Sequence, residues 1–136
     1  MRTVDEVQAA LIERLKADPQ LIALVGTADH IKETEWQGAE FTFPAIRVEN
    51  VIKPNVVYCS PDDVDITIFC MSEQKSSKQC SLIAARVANL FHNTRGITAT
   101  NGVNFVFFRV ASIPYPKQQE GQSVWISPVE IISQVK

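Results

Sequence analysis

The sequence contains few of the residues and motifs on which common enzyme sites are built. Its 136 residues include only 2 histidines and 3 cysteines. Cys59, Cys70 and Cys80 lack the close spacing of a zinc site, and neither His30 nor His92 lies beside an acid and a nucleophile. The patterns GxxxxGK[ST], GxGxxG and GxSxG are missing as well. The sequence therefore predicts no enzyme, no cofactor and no metal site.

Glycine and proline are also scarce, with 5 and 7 residues, and no apolar run is long enough to cross a bilayer. The N-terminal segment Met1–Glu6 turns acidic at once, which is unlike a signal peptide. An apolar content of 46% is sufficient for an ordinary core. We therefore expect one soluble globular domain over residues 1–136, made in a reduced cytoplasm and without a membrane partner.

Neither sign of charge dominates, because the formal net charge is only −2. The two halves nevertheless differ: residues 1–68 hold 6 basic and 12 acidic side chains, whereas residues 69–136 hold 7 basic and 3 acidic ones. One interpretation is an uneven distribution of solvated surface charge. The other is head-to-tail association of copies through complementary patches.

Two helices are predicted near the N-terminus. Thr3 and Glu6 form a capping box, and apolar residues at intervals of three and four extend the helix to about Ala17. Asp18–Pro19 is typical of a second N-cap, and Gly26 of a C-terminal stop. We expect a helix followed by a short helical appendix.

Alternation and a second capping box predict the central elements. Segments 44–51 and 64–71 alternate apolar and polar residues, as a half-buried strand does. Ser76 and Gln79 repeat the capping-box pattern, and a second main helix is expected over residues 77–93.

A β-hairpin is predicted around Asn101–Gly102, because this pair favours a turn with positive φ at both residues. In the strand that follows, over residues 103–111, alternation places Phe105 and Phe107 on one face and Phe108 on the other. If both faces of this strand are apolar, one of them needs something beyond the helices to cover it, and a partner subunit would do that.

The last segment, residues 124–135, is extended, and Pro128 within it indicates a sheet edge or a bulge. The elements follow one another in the order helix, strands, helix, strands, with hairpin-type connections. This order predicts an α+β domain with a mostly antiparallel sheet and two main helices packed on one face.

Four segments, quoted in order, carry a resemblance to a known family. They are Leu15–Gly26 (LKADPQLIALVG), Phe43–Val48 (FPAIRV), Val64–Met71 (VDITIFCM) and Ala84–His92 (AARVANLFH). With the loops between them they span nearly the whole chain. In this order the sequence resembles the tail-completion, or tail-terminator, proteins of long-tailed bacteriophages.

The resemblance implies a structural role in the virion. Proteins of this family assemble as a ring, typically a hexamer, on the head-proximal end of the tail tube and stop its polymerisation. The implied partners are further copies of the chain, the tail tube protein and a head-completion or connector protein. Genomic DNA would pass through the lumen without base readout.

Two polar loops are the expected ring or tube contacts, because loops carry most such contacts. They span Lys53–Asp63 and Tyr115–Gln122, with Tyr58, Tyr115 and Trp125 as candidate aromatic anchors. The candidate interface residues are Lys53, Asn55, Tyr58, Asp62, Asp63, Tyr115, Lys117, Gln119, Glu120 and Trp125.

Three other functions remain open at this point. A head-side connector or neck subunit shares the size and the ring assembly of the terminator. A small cytoplasmic enzyme could use one of the three cysteines as its nucleophile, although Lys78 beside Cys80 is the only cation close to any of them. A nucleic-acid-binding module would need a local basic surface.

Overall fold

The computed structural model describes residues 2–34, 42–55, 60–74, 76–118 and 123–136. Within these ranges the chain forms three α-helices, one turn of 3₁₀ helix at Ala28–His30, and seven strands. The helices are α1 (Val4–Lys16), α2 (Pro19–Val25) and α3 (Lys78–Phe91). The strands are β1 (Ile31–Glu33), β2 (Ala45–Lys53), β3 (Asp62–Ser72), β4 (Thr94–Thr98), β5 (Asn104–Ser112), β6 (Lys117–Gln118) and β7 (Trp125–Val135).

All seven strands belong to one mixed sheet. Its order is β1-β2-β3-β7-β5-β4, and the short β6 pairs with β7 beside β5. β1 and β2 are parallel, whereas every other pair is antiparallel. The predicted α+β class with a mostly antiparallel sheet is therefore confirmed.

The helix ends follow the local sequence at α1 and α2. The Thr3 hydroxyl accepts from the backbone N–H of Glu6 at 3.2 Å, and the Asp18 carboxylate accepts from that of Leu21 at 3.2 Å. Gly26 ends α2 with φ +94°, a conformation in which a side chain is strained. Three of the predicted helix boundaries are thus confirmed.

The prediction of a second capping box at Ser76 and Gln79 is wrong. Ser77 is the N-cap of α3 and makes no side-chain cap bond, while the Ser76 hydroxyl accepts from the backbone N–H of Lys78 at 3.3 Å. Ser76 therefore closes a local turn one residue before the N-cap, a competing use of a serine hydroxyl that spacing alone does not distinguish from a cap.

The core lies between the helices and one face of the sheet. α1 packs on β1 and β2, α3 packs on β3, β5 and β7, and α2 packs on α3. In β3 every second residue is buried, which confirms the alternation in segment 64–71. The largest side chains with less than 2% exposure are Leu11, Leu15, Leu21, Ile31, Ile46, Ile66, Ile68, Ile83, Phe91, Phe105, Phe108 and Ile131.

The β4–β5 hairpin forms, but its turn differs from the one predicted. Of the two turn residues only Gly102 has positive φ, +87°. The N–H of Gly102 bonds to the carbonyl of Ala99 at 3.0 Å, and the N–H of Ala99 bonds to the carbonyl of Val103 at 2.9 Å. This is a three-residue loop in which glycine takes the left-handed position, so Asn101 does not need positive φ.

A β-bulge in β5 overturns the predicted facing of the phenylalanines. Phe105 pairs with Val135 and Phe107 with Gln134, so Val106 is an extra residue in β5. After the bulge the alternation restarts: Phe105 and Phe108 are both buried, and Phe107 is half-buried on the opposite side. A strict period of two cannot anticipate an inserted residue.

The prediction that Pro128 marks a sheet edge is also wrong, because β7 lies between β3 and β5. Pro128 pairs with Phe69 of β3. On the other side of β7, Ile126 pairs with β6 and Glu130 with β5. Pro128 therefore lies where β7 changes partner, and its missing N–H is tolerated there.

The sheet ends on one side at β4, which contains Gly96 with φ +64°. At the other side it ends at β1, which has three residues. Both outer strands are therefore short or kinked.

Candidate assembly surface

The two loops predicted as contacts lie at opposite ends of the sheet. The loop that begins after Lys53 enters β3 at Asp62, whereas the loop that contains Tyr115 enters β7 at Trp125, which pairs with Ser72 at the far end of β3. β3 has 11 residues, and a rise of about 3.4 Å per residue separates its ends by roughly 34 Å. The candidate residues therefore form two separate groups.

The group at the β2–β3 end is polar and internally bonded. The ammonium of Lys53 forms an ion pair with the carboxylate of Asp65 at 2.5 Å, and this hydrogen bond raises the pKa of Lys53. The amide of Gln134 donates to the carboxylate of Asp63 at 2.8 Å. Asp65 and Gln134 were not among the candidates, although the alternation in β3 puts Asp65 on the same face as Asp63.

Asn55 and Asp62 close the β2–β3 connection. The backbone N–H of Asn55 donates to the carboxylate of Asp62 at 3.1 Å. Tyr58, the aromatic candidate in this loop, lies outside the described residues.

At the other end of the sheet the aromatic candidates differ in exposure. Tyr115 is 78% exposed, and Lys117 is exposed in β6 opposite Ile126. Trp125 packs against the core, and its indole N–H donates to the carbonyl of Gln74 at 2.9 Å. Trp125 thus has a local packing role, while Tyr115 is available to a neighbour.

The two remaining candidates, Gln119 and Glu120, lie outside the described residues.

The face of the sheet that points away from the helices is a surface that sequence reasoning did not assemble. We call it the open face. Its side chains alternate with the core residues along each strand. Ala45 and Arg47 of β2 are buried on this face, and the others are half-buried or exposed, with Val51 at 51%. They are Glu49, Val51 and Lys53 of β2, Asp63, Asp65, Thr67, Phe69 and Met71 of β3, Ile126, Pro128, Glu130, Ile132 and Gln134 of β7, Phe107 and Arg109 of β5, and Arg95 of β4.

A groove of about 320 Å³ lies between α1 and the β4–β5 hairpin, and its charged residues serve the fold. The Arg14 guanidinium donates to the carbonyl of Leu90 at 2.8 Å and lies 5.4 Å from the ring centre of Phe91. Burial lowers the pKa of Arg14. Asp18 accepts two hydrogen bonds from Arg86, at 2.7 and 2.9 Å, and these hold its pKa below the usual value.

The described cysteines are poor nucleophiles. Cys70 and Cys80 are buried, and desolvation raises the pKa of both thiols, that of Cys80 to about 11. Cys59 lies outside the described ranges.

The described parts of the chain contain no group of three His, Cys, Asp or Glu side chains that could hold a metal ion. Among the helices found there, none is long and apolar enough to cross a membrane.

Comparison with known proteins gives structural matches. No family model and no curated protein matches the sequence. A chain in a structure described as the virion of a native gene transfer agent particle superposes with a TM-score of 0.77 at 16% identity, over 99% of this chain and 98% of that one. A second solved structure, whose name states no function, superposes with a TM-score of 0.61 at 16% identity, over 100% and 97% of the two chains. The chain therefore shares its complete fold with both.

Proposed function

We propose that this chain is a structural, non-enzymatic protein of a phage-like virion, made in the host cytoplasm. In this proposal it assembles as a ring, a hexamer, on the head-proximal end of the tail tube. The ring terminates tube polymerisation and forms the joint with the head, so its partners are sister copies, the tail tube protein and a head-completion or connector protein. Genomic DNA passes through its lumen without sequence readout.

The observation that carries the proposal is the full-length similarity to a virion chain. It extends over 99% of this chain and 98% of the other, so it covers a complete subunit rather than a common substructure. It agrees with the resemblance of segments 15–26, 43–48, 64–71 and 84–92 to tail-terminator proteins.

The position of the two candidate loops suits a ring between two partners. A ring at a junction needs one surface for each axial neighbour and a third for its sister copies. Lys53, Asn55 and Asp62 lie near one end of β3, and Tyr115 and Lys117 lie near the other end. In this proposal they supply the contacts to the tube and to the head, while other surfaces close the ring.

The decisive experiment is assembly of tails with and without the chain, followed by electron microscopy of tail length. The proposal expects tails of uniform length when the chain is present and overlong tails of variable length when it is omitted. Adding back the purified protein should restore uniform length, with ring-shaped density at one end. Tails of normal length in the absence of the chain would contradict the proposal.

The runner-up function is a neck or connector subunit, which shares the fold argument. Purified chain mixed with isolated tail tubes and with portal-bearing heads separates the two. The terminator proposal expects co-sedimentation with tubes alone, and the connector alternative expects it with heads alone.

A further inference from the structure

We infer that copies of this chain associate head to tail by placing an acidic strip on the open face of one copy in an arginine-lined groove on the open face of the next. This inference rests on the proposed ring and identifies the surfaces that close it. The acidic strip consists of Glu49, Asp63, Asp65 and Glu130. The arginine groove consists of Arg95, Phe107 and Arg109 with the backbone around them.

The arginine groove is built by the β4–β5 hairpin. It has a volume of about 360 Å³ and is lined by Asn93, Thr94, Arg95, Val106, Phe107, Phe108 and Arg109. Arg95 pairs across the strands with Phe107, so the half-buried ring lies between the two guanidinium-bearing positions on the open face. Arg95 and Arg109 are exposed, and neither makes an ion pair or a side-chain hydrogen bond within the described residues.

The acidic strip lies across β2, β3 and β7. Asp63 and Glu49 are exposed, and the only lysine on this part of the open face, Lys53, is paired with Asp65. The carboxylates of Asp63 and Glu130 each accept one hydrogen bond from a neutral side chain. Among the described residues, Asp65 is the one member of the strip that forms an ion pair, so the strip has an excess of acidic groups there.

Asp63 and Arg95 are too far apart to pair within one copy, and Glu130, which lies one strand from Arg109, forms no ion pair with it among the described residues. Asp63, Gln134, Phe107 and Arg95 lie in one row of cross-strand pairs, so three strand steps separate the acid from Arg95. At about 4.8 Å per step this is roughly 14 Å, beyond the reach of an ion pair and longer than the screening length at physiological salt.

Sheet twist directs the two surfaces toward different neighbours. Adjacent strands rotate by about 20–25°, so three steps turn the surface normal by roughly 60–75° between β3 and β4. A contact between two differently directed surfaces is heterologous, and it leaves no unpaired patch when the copies close a ring. Two acidic strips repel each other, and so do two arginine grooves, so pairing of strip with strip is disfavoured.

Two partly exposed apolar side chains lie between the acids and the arginines on the open face. Ile132 of β7 lies between Asp65 and Arg109, and Phe107 of β5 lies beside Arg95. Charged groups around an apolar centre are the usual arrangement of a specific interface. A second copy accounts for the arginines better than DNA does, because two cations on a face that also carries four acids cannot neutralise the several phosphates that non-specific binding needs.

The test uses two charge-reversed variants of the full chain and sedimentation velocity at low ionic strength. The wild-type protein is expected to self-associate at low ionic strength, and this association should weaken as NaCl rises from about 50 to about 500 mM. R95E/R109E and E49K/D63K should each self-associate about 100-fold more weakly, because the first presents acids on both surfaces and the second sets two lysines against the two acids that remain in its strip. An equimolar mixture of the two should associate again, with complexes of 1:1 composition.

A control separates the surface from net charge. K16E/K78E carries the same change of charge as R95E/R109E, and both lysines are exposed on helices, away from the open face. This control should associate like the wild type, and circular dichroism checks the fold of all three variants. A wild-type chain that stays monomeric at low salt, an arginine variant that associates normally, or a mixture that does not recover would each overturn the inference.

Two further outcomes are informative. If R95E/R109E loses binding to duplex DNA while its self-association is unchanged, the groove is a nucleic-acid site and the inference is wrong. If tails remain uniform in length with R95E/R109E but not without the chain, the proposed function stands and this interface fails.

Discussion

Replacing Phe108 by alanine should destabilise the protein far more than the same change at Phe107. Phe108 is 1% exposed, and its ring centre lies 4.9 Å from that of Phe91 and 4.6 Å from that of Phe105. Truncating a buried phenylalanine to alanine lowers the free energy of unfolding by about 3–5 kcal/mol, and the loss of the contacts between rings is part of this cost. Phe107 is half-buried on the open face, so its truncation should cost about 1 kcal/mol or less.

The comparison is measured by urea denaturation in high salt, where the inferred interface is expected to dissociate, with intrinsic fluorescence as the probe. The expected loss for Phe108→Ala, about 4 kcal/mol, is a large part of the free energy of unfolding of a domain, which is about 5–15 kcal/mol. It should lower the melting temperature by roughly 12 °C. The two variants lose the same chemical groups from adjacent positions of β5. Equal costs, or a larger cost at Phe107, would show that the bulge at Val106 is wrong and that strict alternation holds.

Three further outcomes follow from local contacts. Asp18→Asn should reduce the unfolding free energy at pH 7. Because Arg86 lowers the folded-state pKa of Asp18, this deficit should shrink as pH falls below about 4, and a deficit independent of pH in urea titrations would refute the ion pair. Thr3→Ala should cost about 1 kcal/mol by the same assay through loss of the N-cap, while Thr3→Ser should cost little. Cys70 and Cys80 should resist alkylation in the native protein and react in urea, as read by peptide mass spectrometry; rapid native labelling would contradict their burial.

The local signals in the sequence were sufficient wherever a single residue or a strict period decides the structure. Thr3, Asp18 and Gly26 set helix ends because their side chains, or the lack of one, act on the nearest backbone groups. The alternation in β3 is decided by burial of one face. Such features depend on neighbours within four residues.

Features that depend on distant strands could not be obtained in this way. The bulge at Val106 exists because β5 must match β7, and the position of Pro128 is permitted because two different strands adjoin β7. Neither partner is visible in the local pattern.

The candidate surface was predicted only in part. The polar loop residues were identified, and the uneven charge of the two halves suggested complementary patches. The strand order alone shows that Asp63 and Arg95 lie on the same face of the sheet and in the same row of cross-strand pairs. The open face is therefore a product of topology.

The kink at Gly96 limits how this protein can polymerise. A neighbouring backbone cannot extend the sheet past β4 where the chain turns through φ +64°, and three-residue β1 offers little more at the opposite rim. Association of copies in the proposed ring would therefore use side chains, would be reversible with ionic strength, and would stop when the ring is closed. For a subunit with the proposed role of ending the growth of one polymer, such edges disfavour the growth of a fibre of its own.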